Sequence, residues 1–214
     1  MDYFYNNKGV GIVLGLIKTI QDNKDYLSEI DGALGDGDHG INMNKGFTLC
    51  KERLTADVTD FSKALKTLGR VLLMEIGGSM GPLYGTFFIE MSKKCADKET
   101  IDKNTFKEMI EAALNGISTL GKAKVGDKTL IDTLVPAVEA YNKALAEGKD
   151  FSGALIEMKA AAEKGKDSTK DMVAKIGRAS RLGERSRGVL DAGSISCYLI
   201  IASISDSIKA LLES

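Results

Sequence analysis

Apolar residues recur at three- and four-residue intervals almost without a break from Val10 to Leu212, and only two prolines interrupt the chain. That spacing lays apolar side chains along one face of a helix, and the alternating β-branched runs that a strand needs are missing. Caps and breakers set the expected boundaries. A first helix is predicted from Val10 to Ile30 and a second from Asn42 to Leu54. The third runs from Asp60, a suitable N-cap for Phe61, Leu65, Leu68 and Leu72, to Ile76, where Gly77 and Gly78 end it. The fourth starts at Pro82, whose missing N–H is harmless in a first turn, and reaches Cys95. Asn104 caps a fifth helix to Leu120, and Asp132 opens a sixth, with Pro136 in its first turn, ending near Gly148. The seventh begins near Phe151, breaks around Gly165 to Ser168 and resumes to Ile176; the eighth fills Gly193 to Leu212. About eight helices joined by mostly short links predict an all-α barrel or bundle.

At 214 residues the chain is long enough to build one core without staples, and a single domain is expected. With 43% hydrophobic and 28% charged residues and a net charge of -1, it is neither disordered nor collagenous. Lys and Arg are spread over both halves, with no basic run interleaved with aromatics, so no nucleic-acid face is expected. The N-terminal run MDYFYNNKGVGIVLGLIKTI lacks a basic lead and a cleavage site and is interrupted by Lys18; it reads as a core helix, and no membrane contact is expected. Cys50, Cys95 and Cys197 are odd in number, far apart and set in apolar helical patterns. They suggest neither a disulfide framework nor a zinc site, and imply a reduced, cytoplasmic setting.

Three links are more than connectors: Asp31 to Gly40, Gly77 to Gly81 with Gly121 to Asp132, and Gly177 to Gly193. If helices alternate in direction, links separated by an even number of helices return to the same end, so these loops should converge on one rim. In the first, DGALGDGDHG, the carboxylates of Asp31, Asp36 and Asp38 would repel one another unless something positive sat among them, and the glycines let the backbone curl the oxygens inward. A hard divalent cation such as Mg²⁺ fits an oxygen-only ligand set; an EF-hand does not, because no register supplies both its Gly and its final Glu. The alternative is a solvated Asp/Gly turn. His39, the only histidine, could be a metal ligand, a phosphate ligand, a phosphorylated nucleophile or a structural residue; magnesium's preference for oxygen favours the phosphate contact.

GGSMGP, Gly77 to Pro82, precedes a helix N-terminus, where free N–H groups and the dipole favour an anion, and Ser79 adds a hydroxyl; a plain turn is the competing reading. It is no Walker A loop. Arg178, Arg181, Arg185 and Arg187 crowd the last link and read either as a solvated face or as a lid over phosphates. Met80 and Leu130 are core candidates first and walls of a slot for a planar base second.

Four segments together carry a resemblance: GDGDHG at Gly35 to Gly40, GGSMGPLYG at Gly77 to Gly85, GDKTLIDTLVPA at Gly126 to Ala137 and GRASRLGERSRGVLDAGS at Gly177 to Ser194. In this order, and across essentially the whole chain, they resemble the nucleotide-binding L subunit of dihydroxyacetone kinases. The resemblance implies a closed up-and-down barrel of eight antiparallel helices, with ADP and two Mg²⁺ ions at one end beneath a lid, here residues 165–192, between the last two helices. It places the metals on Asp31, Asp36 and Asp38. It places the nucleotide on His39, Gly40, Ile41, Asn42, Ser79, Met80, Gly121, Leu130, Arg178, Asp191, Ala192 and Gly193. Met80 departs from the pattern, since a small or hydroxylated residue often follows the serine, and a side-chain phosphate contact is lost there. With no substrate domain attached and no extension past the eighth helix, the chain resembles the phosphotransferase-system form. In that form bound ADP takes phosphoryl from a phosphohistidine on an M subunit and passes it to dihydroxyacetone on a K subunit. No general base stands out, and no catalytic residue is expected beyond the metal and phosphate ligands. An ATP-dependent kinase subunit for another small hydroxylated substrate and a non-catalytic helical scaffold are the alternatives.

Overall fold

Where an acidic cap and an apolar stripe coincide, the helices begin where the sequence places them. The computed structural model describes residues 1–54, 58 and 60–214. Its α-helices are α1 (Val10–Asp22), α2 (Lys24–Leu34), α3 (His39–Arg53), α4 (Phe61–Glu75), α5 (Met80–Cys95), α6 (Lys103–Leu120), α7 (Ile131–Ala146), α8 (Phe151–Ser168) and α9 (Ala192–Glu213). Asp60 caps α4 as expected, accepting the Lys63 amide at 2.8 Å, and Asp150 and Asp191 do the same for α8 and α9. Each such bond satisfies an amide that the helix leaves unpaired, for about 1 kcal/mol.

Several boundaries differ, each for a local reason. The helix expected from Val10 to Ile30 is two, turned at Asn23, whose side chain donates to the Thr19 carbonyl at 2.8 Å and competes with the main-chain ladder. Both halves pack on α3 and α9, so they form one bent rod. The cap of α6 is Asp102, not Asn104: its carboxylate accepts the Thr105 amide at 2.7 Å. α5 begins at Met80, leaving Pro82 inside the first turn, and α7 begins at Ile131. α8 runs unbroken past Gly165 and stops at Ser168; no helix resumes to Ile176, and only a 3₁₀ turn, Thr169–Asp171, follows. The hydroxyls of Ser168 and Thr169 take the Gly165 and Lys166 carbonyls at 2.7 Å and finish that end. A short antiparallel ribbon, β1 (Tyr3–Tyr5) with β2 (Thr100–Asp102), was not expected, because three residues are too few to display alternation.

Among the described residues, and counting the bent rod as one, eight helices go up and down around a ring. Each packs on the next from α3 to α9, and α9 closes the ring on α1 and α2. The interior is apolar, with Leu16, Phe47, Leu68, Phe88, Tyr141 and Ile200 fully enclosed. By length and composition α9 is apolar enough to cross a membrane; here Ile195, Cys197, Ile200, Ile204 and Ile208 are buried in the barrel core.

Close helix contacts rest on glycine where a methyl has no room. A Cβ on Gly165 of α8 would lie 2.3 Å from the Asp132 carbonyl of α7, whereas one on Gly11 would meet nothing within 4 Å. Gly165→Ala is therefore expected to lower the unfolding free energy by about 3 kcal/mol, the cost of overpacking a rigid backbone contact. Gly11→Ala should be neutral or stabilising by up to about 1 kcal/mol. Paired urea titrations check this, and equal effects in the two variants would remove the packing explanation.

Candidate functional site

Because the chain reverses at every helix, the links after α2, α4, α6 and α8 share one rim, and α3, α5, α7 and α9 all start there. The contacts bear out this convergence. His39 of α3 and Tyr84 of α5 both reach Ser196 of α9, at 2.9 and 2.6 Å. Ser194 of α9 donates to the Thr129 carbonyl before α7 at 2.8 Å, and Arg178 of the last link pairs with Asp36 of the first. Four helix N-termini at one end give the rim a set of free amides and a positive dipole field.

The acidic loop sits within this field. Asp31 lies in the last turn of α2, Asp36 in the link, and Asp38 just before α3, where its side chain makes no cap bond. Gly37 turns the chain with φ +75, and one carboxylate oxygen from each aspartate falls within 4.8 Å of the others. Asp31 also accepts the His39 amide, at 3.4 Å. Arg178 supplies positive charge, paired with Asp36 and 3.9 Å from Asp38. Three oxygen donors, half-buried or exposed, with no sulfur or imidazole pointed among them, suit Mg²⁺ or another hard cation.

His39 is the first residue of α3, and burial holds its imidazole below the ordinary value against the opposing pull of Asp31. It is therefore neutral near pH 7, with Nε2 engaged by Ser196. Gly40 is buried against α2, where a Cβ would lie 2.0 Å from the Lys24 carbonyl. Ile41 is exposed and Asn42 half-buried beside the loop. Ser79 is exposed, and its hydroxyl makes no cap bond, so it is free for a ligand. Met80 and Leu130 are packed into the core, as first expected. Gly121 ends α6, half-buried. Asp191 caps α9, followed by buried Ala192 and half-buried Gly193.

Of the four lid arginines, Arg178 alone reaches the acidic loop among the described residues; Arg187 instead staples the lid by donating to the Asp171 carbonyl at 2.5 Å. The segment Arg178–Ser186 is 3₁₀, broken by Gly183 at φ 56.

Sequence reasoning missed four residues. Ser196 and Tyr84 lie on apolar helical stripes, where nothing marks a polar role. Lys128, buried and at φ 62, sends its ammonium to the carbonyls of Thr169, Met172 and Val189 at 2.6, 3.3 and 2.5 Å. Asp132, taken only as a helix start, accepts the Gly126 and Thr129 amides at 2.5 and 2.7 Å and folds that loop. Lys128 and Asp132 do fall inside GDKTLID, so their signal was an acid and a base in a glycine loop.

The closed helical barrel thus gathers four helix N-termini, a carboxylate cluster and a lid arginine at one rim. The DAK2 domain matches residues 33–206. The chain is 45% identical over 185 residues to the PEP-dependent dihydroxyacetone kinase 1, ADP-binding subunit DhaL, of Listeria innocua, covering 85% of this chain and 86% of that relative. It is 38% identical over 178 residues to the PEP-dependent dihydroxyacetone kinase ADP-binding subunit DhaL of Escherichia coli, covering 83% and 85%. The crystal structure of the C. freundii dihydroxyacetone kinase in complex with AMP-PNP and Mg²⁺ shares the fold, with a TM-score of 0.66 and 24% identity, over 92% of this chain and 33% of that one. The chain belongs to the DAK2 domain family, beside the ADP-binding DhaL subunits.

Burial pushes the Asp191 carboxyl up to about 6, although the Ser194 bonds and Lys128 draw it down. The folded chain thus binds this proton more tightly than the unfolded one, so the group's contribution to stability is present below about pH 4 and is lost as pH rises through about 6. Asp191→Asn keeps a capping side chain and removes the titration. Without metal or nucleotide, the wild type's stability relative to Asp191→Asn should fall by on the order of 1–2 kcal/mol between pH 4 and 6. Thermal unfolding across this range measures it, and parallel curves would refute the shift.

Proposed function

We propose that the chain is the ADP-binding subunit of a phosphoenolpyruvate-dependent dihydroxyacetone kinase, a single nucleotide-binding unit in the cytoplasm with residues 165–192 as its lid. The observation that carries this reading is the convergence of the Asp31, Asp36 and Asp38 oxygens within 4.8 Å, on the rim where four helices begin. The names of the Listeria and E. coli relatives support the nucleotide, and the AMP-PNP and Mg²⁺ of the C. freundii structure support the metal.

In this reading Asp31, Asp36 and Asp38 hold two Mg²⁺ ions. When bound, Mg-ADP supplies the carrier that takes phosphoryl from a phosphohistidine on an M-type subunit and yields it to dihydroxyacetone on a K-type subunit. The chain's own residues position and neutralise, which is most of what phosphoryl transfer asks of a protein. Arg178, which pairs with Asp36 in the ligand-free chain, would turn its guanidinium to phosphate once the aspartates held metal, since a guanidinium can bind two oxygens at once. His39, Gly40, Ile41 and Asn42 at the start of α3 and Ser79 before α5 offer amides and a hydroxyl to the phosphates. The start of α9, from Asp191 through Ala192 to Gly193, closes the far side. Met80, Leu130 and Gly121 form an apolar wall for the base. Partner docking is supported by exposed apolar side chains around the same rim: Ile41, Leu73, Met74, Leu120, Val125 and Ile176.

Nucleotide extracted from the denatured, purified protein should be ADP. Added Mg-ADP at about a hundred times its dissociation constant should raise the unfolding free energy by roughly 2.7 kcal/mol, and Asp36→Asn or Asp38→Asn should abolish most of that gain. The isolated chain with ATP and dihydroxyacetone should yield no product. Turnover without partners would instead identify a stand-alone ATP-dependent kinase, and no bound nucleotide and no Mg-ADP shift would leave a helical scaffold.

A further inference from the structure

The rim holds a polar chain that the nucleotide reading does not use. Tyr84 and Ser196 are enclosed by α3, α5 and α9, 2% and 0% exposed. The Tyr84 hydroxyl lies 2.6 Å from Ser196 Oγ and 3.1 Å from the Gly193 carbonyl. Ser196 Oγ in turn lies 2.9 Å from His39 Nε2 and 3.1 Å from the Gly193 carbonyl. Each hydroxyl has one proton: Tyr84 has two candidate acceptors, Ser196 Oγ and the Gly193 carbonyl, and Ser196 has three, the Tyr84 oxygen, the Gly193 carbonyl and His39 Nε2. Burial pushes the Tyr84 phenol well above its ordinary value, so it keeps its proton and acts as a donor. Following the shorter contact, that proton goes to Ser196 Oγ. Ser196 then directs its own proton to the nearer and more basic acceptor, Nε2 of His39. A ring nitrogen that accepts cannot carry the hydrogen, so the imidazole hydrogen is left on Nδ1.

We propose that Ser196, backed by Tyr84, is a positioning residue that fixes His39 as its Nδ1–H tautomer, so that the first residue of α3 offers a ring hydrogen, and not a lone pair, at the rim that carries the acidic loop. The opposite tautomer would need Nε2 to donate to Ser196 Oγ and would leave a lone pair on Nδ1 in place of a hydrogen. The use of the donor rests on the nucleotide reading above; the tautomer itself is a property of the protein without ligand.

The chain has one histidine, so a long-range ¹⁵N–¹H correlation spectrum of the ¹⁵N-labelled, nucleotide-free protein reports one ring and needs no assignment. The expected wild-type pattern places the proton on Nδ1. Ser196→Ala should move population to the Nε2–H form and weaken Mg-ADP binding roughly tenfold, the loss of one hydrogen bond to a charged group. Tyr84→Phe should shift the tautomer in the same direction to a smaller degree, and serves as the second variant should Ser196→Ala fail to fold. An Nε2–H wild type, or an unchanged tautomer in the folded variants, would overturn the proposal. Failure of the wild type to bind Mg-ADP while retaining the Nδ1–H pattern would count against the nucleotide reading and leave the tautomer assignment standing.

Discussion

The arrangement depends on helix parity. With eight rods alternating in direction around a closed ring, four helices must begin where the other four end, and here the starts of α3, α5, α7 and α9 fall at the rim that also carries the acidic loop. Closure of α9 on α1 and α2 is what makes the gathering three-dimensional: it brings Ser196 beside His39, 157 positions away in sequence. Amides and dipoles that are weak singly then act together on one small volume at the rim.

Within that volume each charge is set by its neighbours. Three carboxylates need positive partners, and the lid arginine supplies one to Asp36 and Asp38. His39 is kept uncharged by burial, so it adds no fixed cation to compete with a metal. Asp191 stays hydrogen-bonded at the α9 cap, near Lys128 and Asp132. Charge at the rim is thus set by local partners, and burial leaves even the α9 cap able to change charge, its carboxyl being pushed up to about 6.

How much of this could be read from sequence follows from the range of the interactions involved. Caps and stripes act within one or two turns, so α4 with its Asp60 cap, the end of α5 and the start of α8 were legible, and the spacing of DGALGDGDHG already implied clustered oxygens. The Asn23 bend was not legible, because an asparagine inside an apolar pattern declares its carbonyl bond only once Thr19 is in place. Asn104 was a reasonable cap, and Asp102 won by being two residues closer to the ribbon that orients it. The stretch up to Ile176 was misread as helix because its length suits one, whereas the chain turns extended at Met172 after one 3₁₀ turn and gives that residue's carbonyl to Lys128. Tyr84, Ser196 and Lys128 act through contacts between distant segments, and no local pattern encodes such partners.

The ammonium of Lys128 joins both feet of the lid, since it holds Thr169 and Met172 on one side and Val189 on the other. The two ends of the lid are therefore pinned to one buried point, and the span between them is cross-tied as well, the Ser186 hydroxyl accepting the Ala174 amide and Arg187 donating to the Asp171 carbonyl. Arg178 sits on that pinned loop, which keeps its guanidinium within range of both Asp36 and Asp38.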